Sequence, residues 1–172
     1  MFTRPGIAQS DSASIEALGE PFCGSRLATI VGGELRWSRM SPSRDPCPCD
    51  STRLYAECCG RWHAGAAAAA AADAISLMRS RYSAFVLRNE AYLLATWHPS
   101  TRPDSIPFNP NQKWLGLRIV DTRVTGDTSA EVEFIARSRA SNAAAVRLHE
   151  RSRFVREGGR WFYVDGDCKV RG

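Results

Sequence analysis

Four cysteines fall in one short run of this 172-residue chain, CPCDSTRLYAECC: Cys47, Cys49, Cys58 and Cys59. Zinc gathers thiolates in a tetrahedron at about 2.3 Å, so four ligating sulfurs must come within roughly 4 Å of one another. One intervening residue lets Cys47 and Cys49 hold the same ion if the backbone turns tightly, and Pro46 and Pro48 stiffen that turn. Adjacent Cys58 and Cys59 both reach it only where the chain enters a helix or turn, because neighbours in a strand point to opposite faces. His63, one helical turn beyond Cys59, is the alternative fourth ligand, and the pattern favours the four cysteines. A disulfide between sequence neighbours is strained, and a redox pair is more often spaced by two residues. Four thiolates fill the shell, whereas a catalytic zinc keeps a position open. The expectation is a structural Zn2+.

The composition bounds what carries this site. An apolar fraction of 44% and a charged fraction of 24% belong to a soluble globular protein. No stretch approaches the eighteen or so apolar residues that cross a bilayer, so membrane insertion is not expected. The opening MFTRPGIAQSDSAS lacks the apolar segment of a signal peptide. The expected address is cytoplasmic, where a tight cysteine cluster is more often a metal site than a disulfide framework. The net charge of +5 is almost all arginine, Lys113 and Lys169 being the only lysines. Those arginines are interleaved with acids instead of forming a stripe, which argues against nucleic-acid binding.

The elements that position the cysteines follow from periodicity. Residues 1–39 have no sustained period and read as a flexible extension or a mis-assigned start, with Met40 the better start and Cys23 alone. Residues 43–65 make the knuckle, 66–167 an independent body, and 168–172 a tail. In DAISLMRSRYSAFV the spacing of Ile75, Met78, Tyr82 and Phe85 predicts an amphipathic helix, with Arg79 and Arg81 off its apolar face. NEAYLLATW predicts a shorter helix capped by Asn89. Four prolines then make HPSTRPDSIPFNPNQ a loop. From Lys113 the period becomes two: Leu115, Leu117 and Ile119 alternate, then Val132, Phe134 and Ala136, then Val146 and Leu148, then RWFYVDG, with turns at TGD, ASN and EGG. Helices followed by a four-stranded antiparallel meander define an α+β fold, the helices packed on one face of a curved sheet.

CPCDSTRLYAECC resembles the SEC-C motif, a cysteine knuckle found at the end of the translocation ATPase SecA and in other bacterial proteins. LMRSRYSAFVLRNEAYLLATWHPSTRP, WLGLRIV, VEFIARSR, LHERSRFVRE and GRWFYVDG resemble the YchJ family of uncharacterised bacterial proteins. The resemblance covers about residues 43–167 and implies a nuclear-transport-factor-2-like cone with no established activity. The family's knuckle usually has glycines after its second cysteine, where this chain has Asp50 and Thr52. Many relatives also carry a second knuckle at the C-terminus; here DCKVRG leaves Cys168 without partners.

Cones of this kind enclose a cavity between sheet and helices. Its candidate lining is Arg79, Arg81, Tyr82, Trp97, His98, Arg102, Trp114, Glu133, Glu150 and Arg153. A carboxylate meeting a histidine there would favour proton-transfer chemistry; otherwise these polar groups pin the proline loop to the cone. The sequence leans away from an enzyme. The preferred reading is a non-enzymatic adaptor whose knuckle docks on a protein or ribosomal partner, presenting Arg53, Leu54, Tyr55, Arg61 and Trp62. The alternative is a small-molecule carrier or enzyme using the cone cavity.

Overall fold

The computed structural model describes residues 45–64 and 71–171. The expectations for residues 1–39, including Cys23, lie outside the described residues. A 3-10 turn at Tyr55–Glu57 leads into the single turn of α1 (Gly60–His63), followed by α2 (Ala74–Leu87) and α3 (Glu90–Ala95). The strands β1 (Gln112–Gly126), β2 (Ser129–Ala140), β3 (Val146–Glu157) and β4 (Arg160–Arg171) form one antiparallel sheet in that order. The α+β meander is therefore as expected. β4 continues through residues 168–171, pairing Arg171 with Arg147, where a tail was expected.

Capping explains the helix starts. Asp73 accepts a hydrogen bond from Ser76 N at 2.6 Å, and Asn89 accepts one from Tyr92 N at 3.1 Å. Each meets a backbone N–H that the helix itself leaves unpaired. α2 lies against one face of the sheet. Leu77, Met78, Tyr82 and Phe85 meet Val132, Phe134, Ala136, Leu148 and Phe154 in one buried cluster. A fully buried side chain of this size stabilises the fold by about 1.5–3 kcal/mol.

Two departures from strict periodicity shape the interior. Leu115 does not share a face with Leu117: it is 37% exposed, while Trp114 and Leu117 turn inward. A register shift between Trp114 and Gly116 resets the alternation. The second departure is Arg81, expected off the apolar face yet 1% exposed. Its Nη1 donates to Leu93 O at 2.8 Å and Thr96 Oγ1 at 2.9 Å, and its guanidinium lies against the rings of Trp97 and Tyr163. The α3 terminus and the aromatic pair thus form a receptor for the cation.

The proline loop is tied to the sheet at its start. His98 N donates to Tyr163 O at 2.7 Å, and Tyr163 N donates to Thr96 O at 3.0 Å. At its far end, Arg88 Nη2 donates to Pro110 O at 2.8 Å. Cys168 is corrected as well: it is not without contacts, its Sγ lying 3.4 Å from Glu150 Oε2.

The knuckle is not an appendage. Cys47, Cys49, Cys58, Cys59 and Trp62 belong to the same buried cluster as the sheet core. Its docking is carried largely by backbone atoms. Arg79 Nη1 donates to Cys49 O at 2.7 Å, Leu117 N donates to Asp50 Oδ2 at 3.1 Å, and His63 Nε2 donates to Ser80 O at 3.0 Å. Gly116 has φ +143°, and a Cβ there would meet Asp50 Oδ2 at 2.8 Å. Gly116→Ala is therefore expected to cost about 1–3 kcal/mol through strain and the lost dock. Thermal melting would check this; an unchanged melting temperature would mean the knuckle does not depend on that contact.

Candidate metal centre

The knuckle builds its site from two short turns. Cys47 N donates to Arg53 O at 2.8 Å and Asp50 N to Cys47 O at 3.3 Å, closing the first turn around Cys47 and Cys49. Cys58 caps the 3-10 turn and Cys59 precedes α1 as its N-cap. That junction turns both adjacent side chains toward one point, the condition their spacing required.

One ligand atom from each of Cys47, Cys49, Cys58 and Cys59 lies within 4.8 Å of the other three, and all four residues are buried. Cys49 and Cys58 sulfurs stand 3.6 Å apart and Cys58 and Cys59 sulfurs 3.9 Å. A tetrahedron with 2.3 Å metal–sulfur bonds has edges of about 3.8 Å, so the spacing suits a single ion. The electrostatics agree. Hydrogen bonds from Cys49 and Cys59 hold the Cys47 thiol far below its ordinary range, while Cys49 and Cys59 are pushed up, first by their pairing with Cys47. Such crowded sulfurs share one negative charge unless a dication lets all of them ionise.

Strain in the loop falls at Asp50 and Thr52. Asp50 has φ 56° and Thr52 φ 61°, both left-handed. A β-branched residue is poorly suited to that region. Thr52 Oγ1 donates to Ser51 O at 2.6 Å, and Asp50 is held by its bond from Leu117. The loop thus relies on these contacts where glycine would have relaxed it.

His63 sits in the dock instead of the sulfur cluster. Its Nε2 donates to Ser80 O at 3.0 Å, so its Nδ1 accepts from Tyr55 OH at 2.8 Å. Burial lowers its pKa, which fits this neutral, doubly bonded ring. The same burial raises Tyr55 to about 12. Trp62 is 8% exposed, so the knuckle's aromatics pack on the body. Among the residues the knuckle turns outward are Arg53, Leu54, Glu57 and Arg61.

The ten residues expected to line a cone cavity separate into several places. Arg79 belongs to the knuckle dock. Arg81, Trp97 and Glu150 are in the packed interior, with Tyr163 between Arg81 and Glu150. Tyr82 supports Gly116, and Trp114 packs on Tyr82 and Phe85. His98 meets Ser100 and Glu157 near the surface, and Arg102 is exposed. Glu133 and Arg153 point from the opposite sheet face. There His149 Nε2 lies 2.5 Å from Glu133 Oε1, Arg151 pairs with Glu133 and Glu131, and Arg153 pairs with Asp165 and Asp167. A carboxylate and a histidine do meet, but on the solvent side in a charge ladder, each of whose exposed pairs contributes about 0–1 kcal/mol.

The SEC-C motif is matched over residues 44–61, and the YchJ middle NTF2-like domain over residues 73–166. A UPF0225 protein of Bordetella pertussis is 58% identical over 124 residues, covering 72% of this chain and 92% of its own length. The chain belongs to the UPF0225 family. Another UPF0225 relative, from Xanthomonas campestris, is 54% identical over 130 residues, 73% of this chain and 98% of its own. Among solved structures, a SEC-C motif containing protein from Rhodopseudomonas palustris aligns with a TM-score of 0.63 at 32% identity, over 72% of this UPF0225 chain and 98% of its own. One from Psychrobacter arcticus aligns at 0.63 and 29% identity, over 73% and 84%. The fold is thus shared with SEC-C motif containing proteins, and the cysteine cluster falls within the SEC-C match. No helix among the described residues is long and apolar enough to cross a membrane.

Proposed function

We propose that this UPF0225 chain is a cytoplasmic, non-catalytic binding module whose zinc-held knuckle docks on a protein partner, ribosomal or free, that presents acidic side chains. The observation that carries this reading is the split character of the knuckle. Its four sulfurs and Trp62 are buried, leaving no open coordination position, while Arg53, Leu54 and Arg61 face outward. Zinc is the ion that suits four thiolates at tetrahedral spacing. The metal holds the rim rigid, so little side-chain and loop entropy remains to be lost on docking. Arginine beside an apolar side chain is a pattern enriched at interfaces. Arg61 also lies 4.8 Å over the Trp62 ring, which fixes its direction.

A photo-crosslinking residue at Leu54 in the full chain tests the reading. It is expected to give one dominant protein adduct in cells, absent when Val124, exposed on β1, carries the crosslinker. Arg53→Glu with Arg61→Glu should remove that adduct without loss of bound metal. The same adducts from both positions, or an adduct indifferent to the charge reversal, would sink the proposal.

A further inference from the structure

A cleft of about 290 Å³ opens beside the C-terminal end of α2, away from the knuckle, lined by Phe85, Arg88, Phe108, Lys113 and Trp114 among others. Its volume is at the lower end of the range that holds small-molecule ligands, with room for a molecule of one or two rings. Three aromatic rings form its apolar wall: Phe85 and Phe108 have centroids 6.2 Å apart, as do Phe85 and Trp114. Among the described residues, two cations and no acid line it.

Arg88 is held there at a cost. It occupies the left-handed region at φ 55° and ψ 38°, the helix-ending position that glycine or asparagine favours. An arginine in that conformation loses about 1–2 kcal/mol. Its Nη2 spans to Pro110 O, pinning the proline loop as the opposite wall. Its Nε and Nη1 have no partner among the described residues, and neither has the exposed Lys113 ammonium. The negative end of α2 lies nearby and opposes an anion. That opposition is reduced because Arg88 N bonds to Phe85 O and Asn89 N to Ala84 O, and two full positive charges outweigh a partial one.

We infer that this cleft binds a small aromatic carboxylate, its ring against Phe108 and Trp114 and its carboxylate held by Arg88 and Lys113. A planar guanidinium with adjacent free donors suits the two oxygens of a carboxylate. The site is separate from the knuckle, so it stands or falls independently of the docking proposal.

The test uses the full-length, metal-loaded protein and three probes, benzoate, 2-naphthoate and indole-3-carboxylate, each against its neutral carboxamide. The readout is the indole N–H resonance of Trp114, assigned with Trp114→Phe. At least one carboxylate is expected to shift that resonance saturably, with its carboxamide about tenfold weaker, as a charged hydrogen bond would give. Lys113→Gln, an exposed change, should weaken binding several-fold while leaving the remaining resonances in place. No saturable shift with any carboxylate, equal affinity for acid and amide, or a Lys113→Gln protein binding as the parent does would each overturn the inference.

Discussion

Cys59→Ser is expected to abolish tight metal binding and to destabilise the whole described fold by several kcal/mol, not the knuckle alone. Cys59 is 0% exposed and precedes α1, whose Trp62 and His63 form the contact with the body. Its loss leaves three sulfurs and a buried hydroxyl. Structural zinc sites can contribute about 10–16 kcal/mol of apparent binding free energy, and domains have only about 5–15 kcal/mol in total. An autonomous knuckle would spend that energy on itself. Here the strained loop carries Asp50 and Cys49 O, which bind Leu117 and Arg79, so a melted knuckle uncovers α2 and the start of β1. Metal analysis should fall from about one ion per chain to none, and the melting temperature should drop by ten degrees or more, an effect of several kcal/mol at this size. Chelation of the parent protein should give the same result. A metal-free protein with an unchanged melting temperature would show that the two parts fold separately.

The cysteine site was legible because ligand geometry is written into spacing: two turns each had to present a pair, and each does. The inward set Val132, Phe134 and Ala136 was equally legible, since an uninterrupted strand obeys its period of two. Leu115 was not, because the bulge at Gly116 shifts the phase. The union of knuckle and body stayed hidden for a different reason. Leu117 N, Ser80 O and Cys49 O are backbone atoms, and no residue type announces which of them will accept or donate across elements. Arg81 misled because an arginine on a helix reads as solvated, while the rings that enclose it come from Trp97 and Tyr163, far along the chain. The same blindness scattered the expected cavity: sequence names polar residues on strands, but the face of the sheet is decided by register. Glu150 and Glu133 come from neighbouring strands and end on opposite faces, one in the core and one in a solvated ladder.

Glu150 gives the second large effect, a stability that falls as pH rises. The side chain is fully buried, accepting hydrogen bonds from Ser152 Oγ at 2.5 Å and Tyr163 OH at 3.2 Å. Burial raises its pKa from the ordinary 4.5 to about 7, against the opposing pull of those bonds and of Arg81. Cys168 Sγ at 3.4 Å completes its surroundings. Because the folded value lies above the unfolded one, the native state holds a proton that the unfolded chain has already released. The stabilising contribution is full below about pH 4.5 and is lost as pH climbs toward 7. The size of the shift corresponds to about 3 kcal/mol across the window. His63 runs the other way, its lowered pKa favouring the fold as pH rises to the ordinary imidazole value, so the parent's slope is a sum. Glu150→Gln isolates one part: the amide keeps the shape and cannot titrate. Denaturant unfolding of both proteins should show the variant gaining about 2 kcal/mol on the parent between pH 5 and pH 8. A constant difference across that range would mean that Glu150 is ionised throughout, held by Arg81 as a buried ion pair.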